Sequence, residues 1–213
     1  MVSRPMPTKV FHFTRVEHLS SIVESGLLSD SRARAAGLMQ IEVGQQSIKQ
    51  RRAETPVHVG PGGVVADYTP FYYAPRSPMM HNIHSGKVPS YQDGTDRLIY
   101  LATTTQQLVH ADSTWVATDR NAVLKTAEFS LDDARVTDMI DWQVMTLEPC
   151  IPVADHPDRI ERRMAEFLVH DTVPFGNLLA IGVKSPDLAA EVDQVLEQHG
   201  SSLRALVRPA WYF

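Results

Sequence analysis

A carboxylate stands inside an apolar run at Met164-Ala165-Glu166-Phe167-Leu168-Val169, and this stretch limits what the chain can become. The run is short, with charge before it and Asp171 and Pro174 after it, so it reads as a buried strand. A carboxylate is costly to bury unless it is paired or used. Side chains alternate along a strand, so Glu166 shares a face with Met164 and Leu168, while Ala165, Phe167 and Val169 point the other way. Two readings fit: an edge strand with Glu166 facing water, or a face that lines a cleft.

No Gly/Ser-rich or Pro-rich linker divides the 213 residues, so the expectation is one domain spanning 1–213. No apolar stretch approaches the roughly 20 residues that span a bilayer, and Met1 to Lys9 lacks the apolar core of a secretory signal. The lone cysteine, Cys150, cannot form an internal disulfide and has no evident partner histidine. These features lead us to expect a cytoplasmic protein with no membrane partner. A net charge of -5 argues against broad affinity for nucleic acid. It leaves room for a local basic groove, because the basic residues cluster at Arg32 and Arg34, at Lys49, Arg51 and Arg52, and at Arg159, Arg162 and Arg163.

From the N-terminus, Val10, Phe11 and Phe13 suggest a strand with His12 and Thr14 on one face, a constellation suited to gripping a planar amide. Leu19, Ile22 and Val23 have helical spacing, and Gly26 suits the C-terminal cap. Residues 29–44 show weak periodicity and read as an irregular segment. Gln45 to Arg52 reads as a short polar helix with Ile48 and Arg52 on one face. Arg51-Arg52 is either a solvated basic face or a contact for phosphate or ribose. Pro61-Gly62-Gly63 is a turn without phosphate-loop spacing. Phe71 to Ala74 reads as a strand ended by Pro75, and Ser77-Pro78 as the start of a helix. His81 and His84 lie three apart on that helix, but nothing completes a metal set, so no metal is expected. Arg97 to Ala102 reads as a strand, and Trp115 to Ala122 as a short strand and then a polar turn. The turn Thr118-Asp119-Arg120-Asn121 reads as too polar for a core and too specific for filler; the plain alternative is that Asp119 caps a helix beginning at Ala122. A strand over Asn177 to Lys184, an amphipathic helix over Pro186 to His199 and a last strand over Arg204 to Arg208 complete the chain. Strands alternate with short helices but without a regular βαβ rhythm, which favours an α+β fold with a split, mixed or largely antiparallel β-sheet and surrounding short helices.

The order His12-Phe13-Thr14, Ile48-Lys49-Gln50-Arg51-Arg52, Pro61-Gly62-Gly63-Val64, Pro70-Phe71-Tyr72-Tyr73-Ala74-Pro75-Arg76-Ser77-Pro78-Met79, Thr118-Asp119-Arg120-Asn121 and Ala165-Glu166-Phe167-Leu168-Val169 resembles the DarT family of DNA ADP-ribosyltransferase toxins. The resemblance runs from about residue 10 to Trp211-Tyr212-Phe213. It implies an ADP-ribosyltransferase-like split sheet with NAD as co-substrate and no metal. The implied reaction moves ADP-ribose to a base in single-stranded DNA, thymidine in the branch this chain looks closest to, and releases nicotinamide. A macrodomain antitoxin, DarG-like, is the implied partner.

The resemblance places the catalytic pair on Glu166 and Arg52, and NAD contacts on His12, Phe13, Thr14, Ser21, Arg52 and Tyr72. It implies DNA contacts at Arg51, Arg76, Arg120, Asn121 and Trp211. Relatives often carry His where this chain has Asn121, which makes base recognition the expected role there. Glu166 would stabilise oxocarbenium character on the ribose and hold its 2′-hydroxyl. For Arg52, stabilising a developing anion on the base is easier than acting as a base itself. An acceptor that must leave its stack explains a preference for single strands, with Tyr72 or Trp211 as stacking candidates.

Overall fold

The strand that carries Glu166 is interior. The structure is a computed structural model and describes residues 2–38, 43, 46–148 and 154–213. Cys150, the start of the expected helix at Gln45 and part of the 29–44 segment lie outside the described residues.

The chain opens with β1 (Lys9–Arg15), α1 (Leu19–Ser25) and β2 (Leu27–Leu28). Gly26 ends α1 at φ 82°, where a side chain would also press on the Val173 carbonyl. Next come α2 (Asp30–Ala35), α3 (Gln46–Glu54), β3 (Tyr68–Tyr72) and α4 (Pro78–His84). The middle of the chain holds β4 (Leu98–Thr104), α5 (Thr105–His110), β5 (Trp115–Thr118), β6 (Phe129–Ser130), α6 (Asp133–Met139), α7 (Trp142–Met145) and α8 (Arg159–Arg162). It ends with β7 (Glu166–His170), β8 (Thr172–Val173), β9 (Ala180–Val183), α9 (Pro186–Gln198) and β10 (Ala205–Val207).

Eight strands form one sheet in the order β10-β9-β4-β1-β3-β7-β5-β6, while β2 and β8 pair separately. Only β9 and β10 run parallel; the other neighbours are antiparallel. The sheet is mixed, as expected, and it is also split. β1 pairs with β4 from Lys9↔Thr104 to Arg15↔Leu98, and β3 pairs with β7 from Tyr68↔His170 to Tyr72↔Glu166. Between the two halves, β1 and β3 meet only at Phe11↔Tyr72. Pro70 lacks the N–H that a continued ladder would need, and its carbonyl instead accepts a hydrogen bond from His12 Nδ1 at 2.8 Å. The His12 ring therefore bridges the divergence of the two strands.

Both faces are covered. Val10, Phe71, Ile99 and Phe167 belong to the larger core with α1 and α9; Phe11, Phe13 and Tyr100 join Met80, Ile83 and Tyr212 in a second. The C-terminus locks onto the second. Tyr212 donates its hydroxyl to the Leu98 and Gly182 carbonyls, and the Trp211 ring lies where Gly182 has no side chain.

Several expectations change. Glu166 pairs with Tyr72 on one side and Thr118 on the other, which removes the water-facing edge reading. The first part of 29–44 is helical: Ser29 caps α2 by accepting from the Arg32 N–H, and Arg32 pairs with Asp171 at 3.1 Å. α2 buries no residue, so no apolar stripe marked it. The strand expected at Phe71 to Ala74 is Tyr68–Tyr72, set by pairing with β7. β9 starts at Ala180, after a short 3₁₀ turn over Phe175–Asn177. No helix follows Asn121; Asp119 instead accepts from the Glu128 N–H at 2.8 Å and closes a turn between β5 and β6. Among the described residues no helix is long and apolar enough to cross a membrane.

Candidate active site

Where β1 and β3 diverge, a cleft of about 440 Å³ opens. Its walls include His12, Phe13 and Thr14 of β1, His18 and Ser21 around the start of α1, Arg51 and Arg52 of α3, Tyr72 at the end of β3, and Asn121 of the turn after β5. Glu166 is not on the wall. It lies one hydrogen bond behind it and is 1% exposed.

The Glu166 carboxylate is fixed at both oxygens. Oε1 accepts from Arg52 Nη1 at 2.8 Å, and Oε2 accepts from the Ala122 backbone N–H at 2.8 Å. Its backbone N–H donates to Thr118 Oγ1 at 3.2 Å. Each carboxylate oxygen has further lone pairs, so this arrangement leaves acceptor capacity for a hydroxyl. The partners come from three separate parts of the chain, which no local sequence pattern joins.

Arg52 is 7% exposed and sits on the last turn of α3, one helical turn after Ile48. Burial works most strongly against its charge, but the Glu166 and Asp30 carboxylates, with Tyr72, together push its pKa up. Its Nη2 is buried without a hydrogen-bond partner. An unpartnered buried guanidinium nitrogen is costly, and an anionic or carbonyl oxygen bound in the cleft would satisfy it. Thr14 Oγ1 and His18 Nδ1 are 2.9 Å apart, and His18 Nε2 likewise has no partner. The Arg52 donor and this unpartnered ring nitrogen, on a wall that also carries Lys49 and Arg51, suit a ligand with phosphate and hydroxyl groups. Tyr72 stacks on Phe13 with ring centroids 6.5 Å apart, which gives the cleft a flat aromatic flank.

The two imidazoles give the fold a pH dependence. Burial pushes both His12 and His18 below their ordinary value of 6.5. The unfolded chain then binds more protons than the folded one as pH falls through that value, so stability is lost toward acid. We expect the denaturant midpoint to fall between about pH 7 and about pH 5.5, and the fall to flatten in a His12→Gln, His18→Gln variant. An equal slope in the variant would assign the effect to other groups.

Of the residues expected at the site, His12, Phe13, Thr14, Ser21, Arg51, Arg52, Tyr72 and Asn121 line this one cleft. Four others do not: Glu166 lies behind the wall, and Arg76, Trp211 and Arg120 are engaged elsewhere. Arg76 donates to the Tyr212 carbonyl at 2.6 Å, reaches Glu148 at 3.3 Å and lies over the Phe213 ring. Trp211 packs on Phe11 and Tyr100, with centroids 5.1 and 5.7 Å away. Arg120 is surrounded by carboxylates from Asp119, Asp158 and Glu161. The basic cluster at 159–163 is not an open surface either. Arg162 pairs with Asp158 and Asp141, and Arg163, 1% exposed, donates to the Val144, Met145 and Pro75 carbonyls. His81 and His84 pack against Phe213, and no group of three or more metal-ligating side chains occurs among the described residues.

Sequence reasoning passed over His18 and the Ala122 N–H. His18 precedes α1 without capping it through its side chain, a position where Ser, Thr, Asp or Asn is usual, and that mismatch was the available signal. A backbone N–H leaves no trace in a sequence.

A family model described as "ssDNA thymidine ADP-ribosyltransferase, DarT" matches residues 11–213. A DNA ADP-ribosyl transferase of Thermus sp. (strain 2.9) is 32% identical over 212 residues, covering 98% of each chain. The solved structure of Thermus sp. 2.9 DarT in complex with ADP-ribosylated ssDNA superposes with a TM-score of 0.91 at 32% identity, over 100% of this chain and 99% of that one. The same Thermus protein in complex with NAD+ superposes with a TM-score of 0.85 at 30% identity, over 99% of this chain and 100% of that one.

Proposed function

The chain belongs to the DarT family, and from that premise we propose that it transfers ADP-ribose from NAD to a base in single-stranded DNA and releases nicotinamide. Our reading of the base is thymine. The observation that carries the proposal is the buried Arg52–Glu166 pair behind a cleft whose wall holds an unsatisfied cationic donor.

In this reading, NAD is a substrate held by His12, Phe13, Thr14, Ser21 and Tyr72. Backbone groups of the His12–Thr14 strand fix the nicotinamide amide, and the Tyr72–Phe13 flank supports its ring. As the bond between nicotinamide and ribose breaks, the leaving group takes the electron pair and positive charge develops on the sugar. Glu166 opposes that charge from behind the wall, and its remaining lone pairs accept from the 2′-hydroxyl once NAD binding brings the carboxylate onto the cleft. The acceptor nitrogen of thymine, N3, carries a proton in the neutral base. Arg52 stabilises the anion that N3 becomes as this proton leaves to solvent. Arg51 and Asn121 stand at the cleft for the acceptor strand. Asn121 Oδ1 accepts from the Val123 N–H at 3.1 Å and its Nδ2 donates to Met164 Sδ at 4.0 Å, which orients the carboxamide and leaves the second N–H of its NH₂ for a base carbonyl. A toxin of this kind calls for a cognate macrodomain antitoxin in the cytoplasm, and family membership is the support for that partner.

The test is an acceptor comparison with labelled NAD. Thymine-containing single strands should take label; the same strands annealed to their complements, and thymine-free strands, should not. Label on protein alone would move the assignment to another acceptor class.

A further inference from the structure

Arg120 looks from its surroundings like a residue that serves the site without touching the substrate. It belongs to the turn that closes behind Glu166, and it does not line the cleft. Its Nε pairs with Asp119 at 2.9 Å within the turn. Its Nη1 reaches Glu161 at 3.5 Å and Asp158 at 4.0 Å, both on or beside α8. Its carbonyl accepts from Thr118 Oγ1 at 2.7 Å, and the same hydroxyl accepts from the Glu166 N–H. Two residues further on, the Ala122 N–H holds Glu166 Oε2. Asp158 is already engaged by Arg162 at 2.7 Å, so the bond across to α8 depends on Glu161.

We infer that Arg120 is a positioning residue: its pair with Glu161 latches the 118–128 turn to α8 and keeps the Ala122 N–H on the Glu166 carboxylate. This rests on the function proposed above. Local charge argues against the alternative of a DNA phosphate contact. The guanidinium is 18% exposed and faces three carboxylates, so a phosphate approaching it would meet more negative than positive charge. A small displacement of Glu166 is enough to slow the reaction, because alignment of the reacting groups governs the rate steeply.

The experiment compares wild type, Arg120→Gln, Glu161→Gln, the double variant and Arg120→Lys by steady-state kinetics on an oligonucleotide substrate. Amide hydrogen exchange of the 118–128 segment is followed alongside. Loss of the latch should lower kcat on the order of ten-fold in both single variants, with KM for the oligonucleotide little changed. The double variant should be no worse than Arg120→Gln, Arg120→Lys should recover part of the rate, and exchange in the segment should rise in the Gln variants. A phosphate contact predicts the opposite pattern, with KM for DNA raised by Arg120→Gln, lowered by Glu161→Gln, and exchange unchanged. That result would overturn the inference. A wild type without transfer activity would remove the proposed function instead, and the exchange data would still decide the latch.

Discussion

Replacing Glu166 by Gln removes ADP-ribosyl transfer, on the order of a thousand-fold or more in kcat, while the chain still folds and binds NAD. Gln keeps the size of the side chain and one acceptor oxygen but has no charge to set against a developing oxocarbenium ion. The folded state also loses something, because Arg52 is then buried without its counter-charge. We expect a loss of about 3 kcal/mol in denaturant unfolding, in the range found when a buried pair is broken from one side. Mass spectrometry of the oligonucleotide measures the first effect, denaturant unfolding the second, and calorimetric titration with NAD checks that binding is retained. A variant that retains NAD binding and transfers at the wild-type rate would show that the carboxylate is only structural.

Arg52→Ala has the larger cost in stability. It leaves Glu166, 1% exposed, with the Ala122 N–H as its remaining charge-stabilising contact, and should cost about 3–5 kcal/mol. The double variant Arg52→Met, Glu166→Leu should recover most of that loss, since a well-packed apolar pair is often as stable as a buried ion pair. It should still have no transfer activity. Arg52→Lys separates charge from shape: the ammonium keeps the charge but lacks the fork that reaches both Glu166 and a ligand. Its rate should fall on the order of a hundred-fold, with a smaller effect on stability than Arg52→Ala. Equal stability of Arg52→Ala and wild type would mean that the pair contributes nothing to the fold.

The parts of the structure visible in the sequence are those set by local chemistry. Gly26 marked the end of α1, Ser77-Pro78 the start of α4, and spacing alone marked α9. The alternation in 164–169 put Glu166 with Leu168, and the two do share a face. The pairing of Glu166 was not readable in the same way. Arg52 lies 114 positions away and Ala122 lies 44 away, and the contact forms only when β7 is inserted between β3 and β5. β2 and β8 have two residues each and exist only because they pair with one another. Charge alone did not show the partners of Arg76, Arg120 and Arg163. Each is a cation in the sequence, and each is spent on carbonyls or carboxylates in the fold. Asn121 and Thr118 seemed too polar for an interior, yet they are buried because the turn satisfies them internally.

The measurement that goes most directly to the central claim is intact-mass analysis of a thymine-containing single strand after incubation with NAD and either wild type or Glu166→Gln. The account predicts a mass gain of one ADP-ribose with wild type, release of nicotinamide in equal amount, and no adduct with the variant. Nicotinamide released by wild type without any DNA adduct would contradict it, and would leave a cleft that cleaves NAD but does not modify DNA.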